Sequence, residues 1–242
     1  MVLASRDGHS RMKLLTLLLL GSGFVGGVLS VSGQGTFQNL GFESAHDIPV
    51  FDPAGHPWIM SAADALPGWT CYLGTNQTGS AGYDDIALSS AAVGIQDHAS
   101  PWAPAALISG QYCASLQYGY VFTGPSDYYL GPASIAQSGQ IPSDVRSIMF
   151  DGTYPFVVSF AESPIPLVVW STQPGYNVYA GDVSQFAGQP GELRIASNDS
   201  AIGGSFLDAI RFSDQPIPEP GMVGLLAFGA LLFGWRALRE RG

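Results

Sequence analysis

The chain has 242 residues, 46% of them hydrophobic and 12% charged, and its 9 Lys and Arg against 19 Asp and Glu leave a formal net charge of −10. Between Gly33 and Pro218 the only arginines are Arg146, Arg194 and Arg211, and there is no lysine. That balance excludes nucleic-acid binding, which needs a basic surface to neutralise phosphates. It also leaves carboxylates free for calcium, a cation that takes oxygen ligands.

Arg6, Arg11 and Lys13 precede the apolar stretch 14–29, which runs into Ser30, Val31, Ser32 and Gly33. This is the layout of a secretory signal peptide, assigned to residues 1–33. Met12 would itself begin a normal signal, so Met1 and Met12 are both candidate starts. Residues 34–215 then form one domain, since about 180 residues suffice for one well-cored unit and hardly for two.

Within that domain, short runs rich in β-branched and aromatic residues recur between Gly, Pro and Ser breaks, and helical periodicity never persists. Strands are expected over 35–42, 69–73, 111–118, 129–137, 146–150, 156–162, 167–171, 191–197 and 205–212, an all-β sandwich pattern. Residues 44–64 and 89–104 read as long loops, the usual place for binding on a sandwich. A helical turn is expected over 182–186 with Asp182 as its N-cap. Trp69 and Trp170, set in strand-like runs, are assigned to the core. Cys71 and Cys113 are the only cysteines, and in an exported domain a disulfide between them is the first expectation, with two buried free thiols as the alternative.

Five landmarks then appear in order: Asn39-Leu40-Gly41-Phe42-Glu43, Leu66-Pro67-Gly68-Trp69, the run Gly110-Gln111-Tyr112-Cys113-Ala114-Ser115-Leu116, the stretch 181–189 around Asp182, and Phe206-Leu207-Asp208-Ala209-Ile210. Together they resemble the landmarks of galactose-binding-like jelly rolls. The resemblance implies a two-sheet jelly roll, the fold of many carbohydrate-binding modules. In such modules a structural calcium ties the first strand to the last, and the matching positions here are Glu43 and Asp208. Ala209 stands where a further acid is usual, and the plainer alternative has Glu43 capping a turn and Asp208 bonding backbone at a strand end. A glycan would stack on flat aromatic faces, for which Trp58 and Trp102 in the two loops are the candidates, with Tyr118, Tyr120, Tyr128 and Tyr129 as a second cluster.

Motifs of enzymes are missing from the chain, which has no Gly-x-Ser-x-Gly elbow, His-Glu-x-x-His helix, phosphate loop or Cys-x-x-Cys pair. The protein is therefore expected to be non-catalytic. Asp97, His98 and Ser100 are too close in sequence to form a triad, whose members a fold assembles from separate elements. Asp84 and Asp85 would face opposite ways on a strand, so they do not form a glycosidase pair. His46, Asp47, Asp52 and His56 offer metal ligands within one loop, but in a spacing that matches no familiar site.

The tail, residues 216–242, carries Pro218-Glu219-Pro220, an apolar run over 221–235, and Arg236, Arg239 and Arg241. An apolar helix of that kind can enter a bilayer while the arginines stay on the cytoplasmic side. The flanking prolines keep Glu219 out of the helix and extended. In this order the parts resemble the PEP-CTERM sorting signal of Gram-negative bacteria that make extracellular polysaccharide. The resemblance implies a transient stay in the inner membrane, processing near Pro-Glu-Pro by an exosortase-type sorting protease, and delivery to the cell surface or extracellular matrix. The expected protein is an exported structural or glycan-associating component of the cell surface or matrix. The alternatives are an extracellular polysaccharide hydrolase and a membrane-anchored scaffold that is never cut.

Overall fold

The computed structural model describes residues 35–49, 59–86, 92–122, 128–198 and 204–217. Fifteen strands follow in chain order: β1 (Ile59–Ser61), β2 (Thr70–Leu73), β3 (Asn76–Thr78), β4 (Ser80–Tyr83), β5 (Val93–Asp97), β6 (Tyr112–Leu116), β7 (Tyr118–Phe122), β8 (Tyr128–Gln140), β9 (Ser147–Gly152), β10 (Val157–Phe160), β11 (Ser163–Ile165), β12 (Leu167–Gln173), β13 (Tyr176–Asp182), β14 (Pro190–Ala196) and β15 (Ser205–Ser213). One sheet has the order β1-β4-β5-β6-β15-β9-β13-β12, the other β11-β10-β14-β8-β2-β3, with β7 paired on β8. Pairing is antiparallel except between β4 and β5, where Gly82 and Tyr83 lie beside Gly94 and Ile95. The chain is thus an all-β, two-sheet protein. Its expected signal and membrane helices lie outside the described residues, among which no helix is long and apolar enough to cross a membrane.

The sheets enclose one main core because side chains alternate along a strand. On β6, Ala114 and Leu116 face inward with Ile95, Phe150 and Leu207, and the opposite sheet supplies Cys71, Ile135, Val158, Phe160, Leu193 and Ile195. Phe42, Phe150, Phe160 and Phe212 are fully buried, each stabilising by about 2–3 kcal/mol through area removed from water. Phe150 stacks on Tyr179 at 5.7 Å, and Phe160 packs on Phe186 at 5.2 Å. Phe186 sits in a 3-10 turn, Ser184–Phe186, entered as Asp182 Oδ1 accepts the Ser184 N–H at 2.8 Å.

The outer face of the eight-stranded sheet is covered in two places. Leu107 and Ile108 of the connection before β6 pack on Cys113 and Phe206. Ile217, beyond the end of β15, packs with Val168 and Tyr176 on Met149, Val178 and Ala180. The Gln215 carbonyl accepts from the Ser147 hydroxyl at 2.8 Å and fixes the path of that last segment.

Several expectations are corrected. Residues 35–42 form no strand: Asn39 and Phe42 adopt left-handed backbone at φ 49° and 61°, which interrupts a ladder. The segment instead bridges the sheets. The Gln140 N–H donates to Thr36 Oγ1 at 2.7 Å at one end, and the Ile210 N–H donates to the Leu40 carbonyl at 3.0 Å at the other. The supposed loop 44–64 contains β1 and a short helix, Ala62–Ala65, capped by Ser61. The supposed loop 89–104 contains β5. Trp69 is buried, but Trp170 is 36% exposed, because β12 is an edge strand whose register shifts between Val169 and Ser171.

Candidate functional site

The first landmark of the chain forms a hub. Asn39 Nδ2 donates to the Pro67 carbonyl at 3.0 Å, the Asn39 carbonyl accepts from Trp69 Nε1 at 3.1 Å, and Phe42 packs on the Trp69 ring at 6.0 Å. Asn39 Oδ1 also accepts the Ser44 N–H at 3.0 Å, so the turn that carries Glu43 is held from both ends.

From that turn Glu43 reaches the segment that enters β6. Its carboxylate accepts the Gln111 N–H at 2.9 Å and the Tyr112 N–H at 3.2 Å. Gly110, at φ +112°, lies so close that a Cβ there would come within 2.5 Å of Glu43 Oε1. Asp208 holds the same segment from the sheet side. Its Oδ2 accepts the Ser109 N–H at 2.6 Å, and its Oδ1 accepts the Ala209 N–H at 2.6 Å. Ala209 is left-handed at φ 51°, inside a register shift between Asp208 and Arg211. A bulge of this kind re-aims a side chain.

Asp208 is fully buried. Burial pushes its carboxyl up to about 7 against the lowering effect of the two N–H donors, with the charges of Glu43 and Asp151 adding to the rise. Arg211 is engaged elsewhere, donating to Asp151 Oδ1 at 3.0 Å and to the Ala209 carbonyl at 2.8 Å. As ligands, Glu43 and Asp208 suit a hard cation: both are oxygen donors, and a carboxylate that accepts N–H bonds keeps further lone pairs. As drawn, they brace residues 109–112 through backbone amides.

A second acidic group stands at the ends of β4 and β5. Asp97 Oδ2 accepts the Tyr83 hydroxyl at 2.6 Å and Oδ1 accepts the Ala99 N–H at 2.6 Å, while Asp84 Oδ1 accepts the Asp97 N–H at 2.9 Å. Burial works to raise Asp97, but hydrogen bonds from Tyr83 and Ala99 hold its carboxyl below the usual value. Asp84 is pushed up to about 6, first by burial and then by the charge of Asp97, with the Asp97 N–H opposing. Tyr112 adjoins both acidic groups: its phenol is raised by burial and by the charges of Asp97, Glu43 and Asp84. Asp97, His98 and Ser100 turn to different partners, since His98 Nε2 meets the Gly110 carbonyl at 2.9 Å and Ser100 Oγ donates to Gln96 Oε1 at 2.6 Å.

The expected disulfide is not formed. Cys71 and Cys113 are free and buried, and period-two alternation places them on different sides of the eight-stranded sheet. Cys71 points into the space between the sheets, whereas Cys113 points outward under Leu107 and Ile108. Burial pushes the Cys71 thiol up to about 12 and raises Cys113 as well, so both are inert as nucleophiles.

Trp102 is 50% exposed beside Ser100. Trp58, Pro218, Glu219, Pro220, Arg236, Arg239 and Arg241 lie outside the described residues, as do the side chains of Tyr120, Tyr128 and Tyr129. Asp52 and His56 lie outside them too. The residues that sequence reasoning missed are Tyr83, Tyr112 and Asp64. Only the fold reveals them, because each acts through neighbours far along the chain.

No protein-family model matches the chain, and neither curated proteins nor solved structures give a match.

Proposed function

We propose that this chain is a non-catalytic, exported β-sandwich of jelly-roll type, sorted by its C-terminal tail to the cell surface or the extracellular polysaccharide matrix. The observation that carries the reading is the order of parts in residues 216–242: Pro218-Glu219-Pro220, the apolar run 221–235, then three arginines. An exosortase-type protease cuts near the triplet while the apolar helix rests in the inner membrane and the arginines hold its cytoplasmic end. The packing of Ile217 on Met149 and Val178 supports this reading, because the domain reaches the triplet without a spacer.

In this reading Glu43 and Asp208 hold a structural calcium at the junction of the first segment with β15, and Trp58 and Trp102 offer faces to a glycan. Calcium supplies positive charge between two carboxylates that otherwise repel. A hydrolase is less well supported. The acids that the fold brings together, Asp84 and Asp97, are taken up by the Asp97 N–H, the Tyr83 hydroxyl and the Ala99 N–H, whereas glycoside hydrolysis needs two carboxyls free to face a substrate.

The test is a double substitution, Pro218→Ala with Pro220→Ala, followed by immunoblotting of precursor and mature forms in the native host. Accumulated precursor is expected. Conversion at the wild-type rate would refute the sorting role.

A further inference from the structure

We infer that His46, Asp47 and Asp64 form a binding site for a first-row divalent metal of the zinc class, separate from the Glu43 and Asp208 junction. One ligand atom from each residue lies within 4.8 Å of the others. On a tetrahedral ion, two ligands each about 2.0–2.2 Å from it stand about 3.3–3.6 Å apart, which the His46 Nε2 and Asp64 Oδ1 pair already matches at 3.3 Å. A small rotamer adjustment therefore closes the site.

The backbone is arranged to hold this group together. The His46 N–H donates to the Asp64 carbonyl at 3.0 Å and ties two segments that are distant in sequence. Asp64 is carried on the helix Ala62–Ala65, whose start is fixed as Ser61 Oγ accepts the Ala63 N–H at 3.2 Å. Consecutive side chains on an extended chain diverge. Asp47 is instead left-handed at φ 50°, and its carboxylate turns toward the same side as the imidazole.

The imidazole is also oriented as a ligand. His46 Nδ1 lies 3.2 Å from the Ser44 carbonyl, and a carbonyl can only accept, so Nδ1 carries the proton. Metal-ligating histidines are commonly held in this way, with the second nitrogen free for the ion. Here that nitrogen is Nε2, and it faces Asp64 Oδ1 at 3.3 Å. Even an imidazolium would leave the two carboxylates in excess by one negative charge. No lysine or arginine lies between Lys13 and Arg146, and Arg194 and Arg211 are paired with Glu192 and Asp151. A neutral imidazole with two carboxylates balances one divalent cation. The nitrogen donor selects zinc and its neighbours over calcium, which takes oxygen. His46 and Asp47 are exposed, which leaves further coordination positions open to water or to a ligand.

The experiment is calorimetric titration of the full-length, metal-stripped protein in detergent with zinc and, separately, with calcium. Cobalt serves as a spectroscopic probe. One saturable zinc site is expected, weakened tenfold or more in His46→Ala and in Asp64→Asn, with the visible cobalt bands changed in both. His98→Ala should bind as the wild type does. Wild-type protein without a saturable zinc site would overturn the inference, and so would unchanged zinc affinity in His46→Ala. Circular dichroism of each variant separates loss of the site from loss of the fold. Neither result depends on tail processing or on calcium at Glu43 and Asp208.

Discussion

Glu43 and His46 sit three residues apart on one turn, yet they serve opposite ends. Glu43 turns its charge onto the backbone amides of Gln111 and Tyr112, and Asp208 meets it there from β15. His46, with Asp47 and Asp64, turns outward, and beyond the imidazole's one bond to the Ser44 carbonyl the three groups face one another. A carboxylate satisfied by N–H donors is part of the fold, and its removal leaves donors without partners. A carboxylate opposed only by an imidazole is available for binding, and the fold has little stake in it.

That contrast can be broken by substitution. The largest effect is expected at Asp208→Ala, which leaves the Ser109 and Ala209 N–H groups without acceptors and should cost about 2–4 kcal/mol in denaturant unfolding. A loss under about 0.5 kcal/mol would show that the brace is not structural. Next comes pH. In the calcium-free protein the Asp208 carboxyl is raised to about 7 in the folded state, against about 3.9 unfolded. Between those values the folded state binds more protons, so stability should fall as pH rises from about 4 to about 7. Asp84, raised to about 6, works in the same direction. Asp97, held low, loses its contribution only as the pH falls through its lowered value. Asp208→Asn should flatten the upper part of the profile, and an unchanged slope near neutrality would contradict the assignment.

A smaller effect is expected at Glu43→Ala, whose lost N–H bonds should cost about 1–2 kcal/mol at neutral pH. His46→Ala, on the outward-facing side, should change unfolding free energy by less than about 0.5 kcal/mol. A large loss there would erase the distinction between the two groups.

Much of this architecture is legible in the chain itself. Strands such as β9 and β15 announce themselves through β-branched and aromatic runs between breaks, because half-buried strands need that composition. The first segment misleads: its Phe37, Leu40 and Phe42 are core residues, but the left-handed turns at Asn39 and Phe42 leave no local trace strong enough to exclude a strand. Trp170 misleads for a different reason, since the register shift that exposes it is a property of the β12 and β13 pairing. Cys71 and Cys113 differ in the face they present, which depends on which sheet each strand joins. The His46 group is half legible. His46 and Asp47 stand together in the sequence, whereas Asp64 arrives only through the helix that the supposed loop contains.

The central claim is delivery by the tail, and the most direct measurement is the intact mass of the protein recovered from the membrane, the medium and the polysaccharide matrix. The account predicts a surface or matrix form that begins near Gly33 and has lost the apolar run 221–235, either as a free end near Pro218 or joined there to another group. A surface form that retains the chain through Gly242 would contradict it.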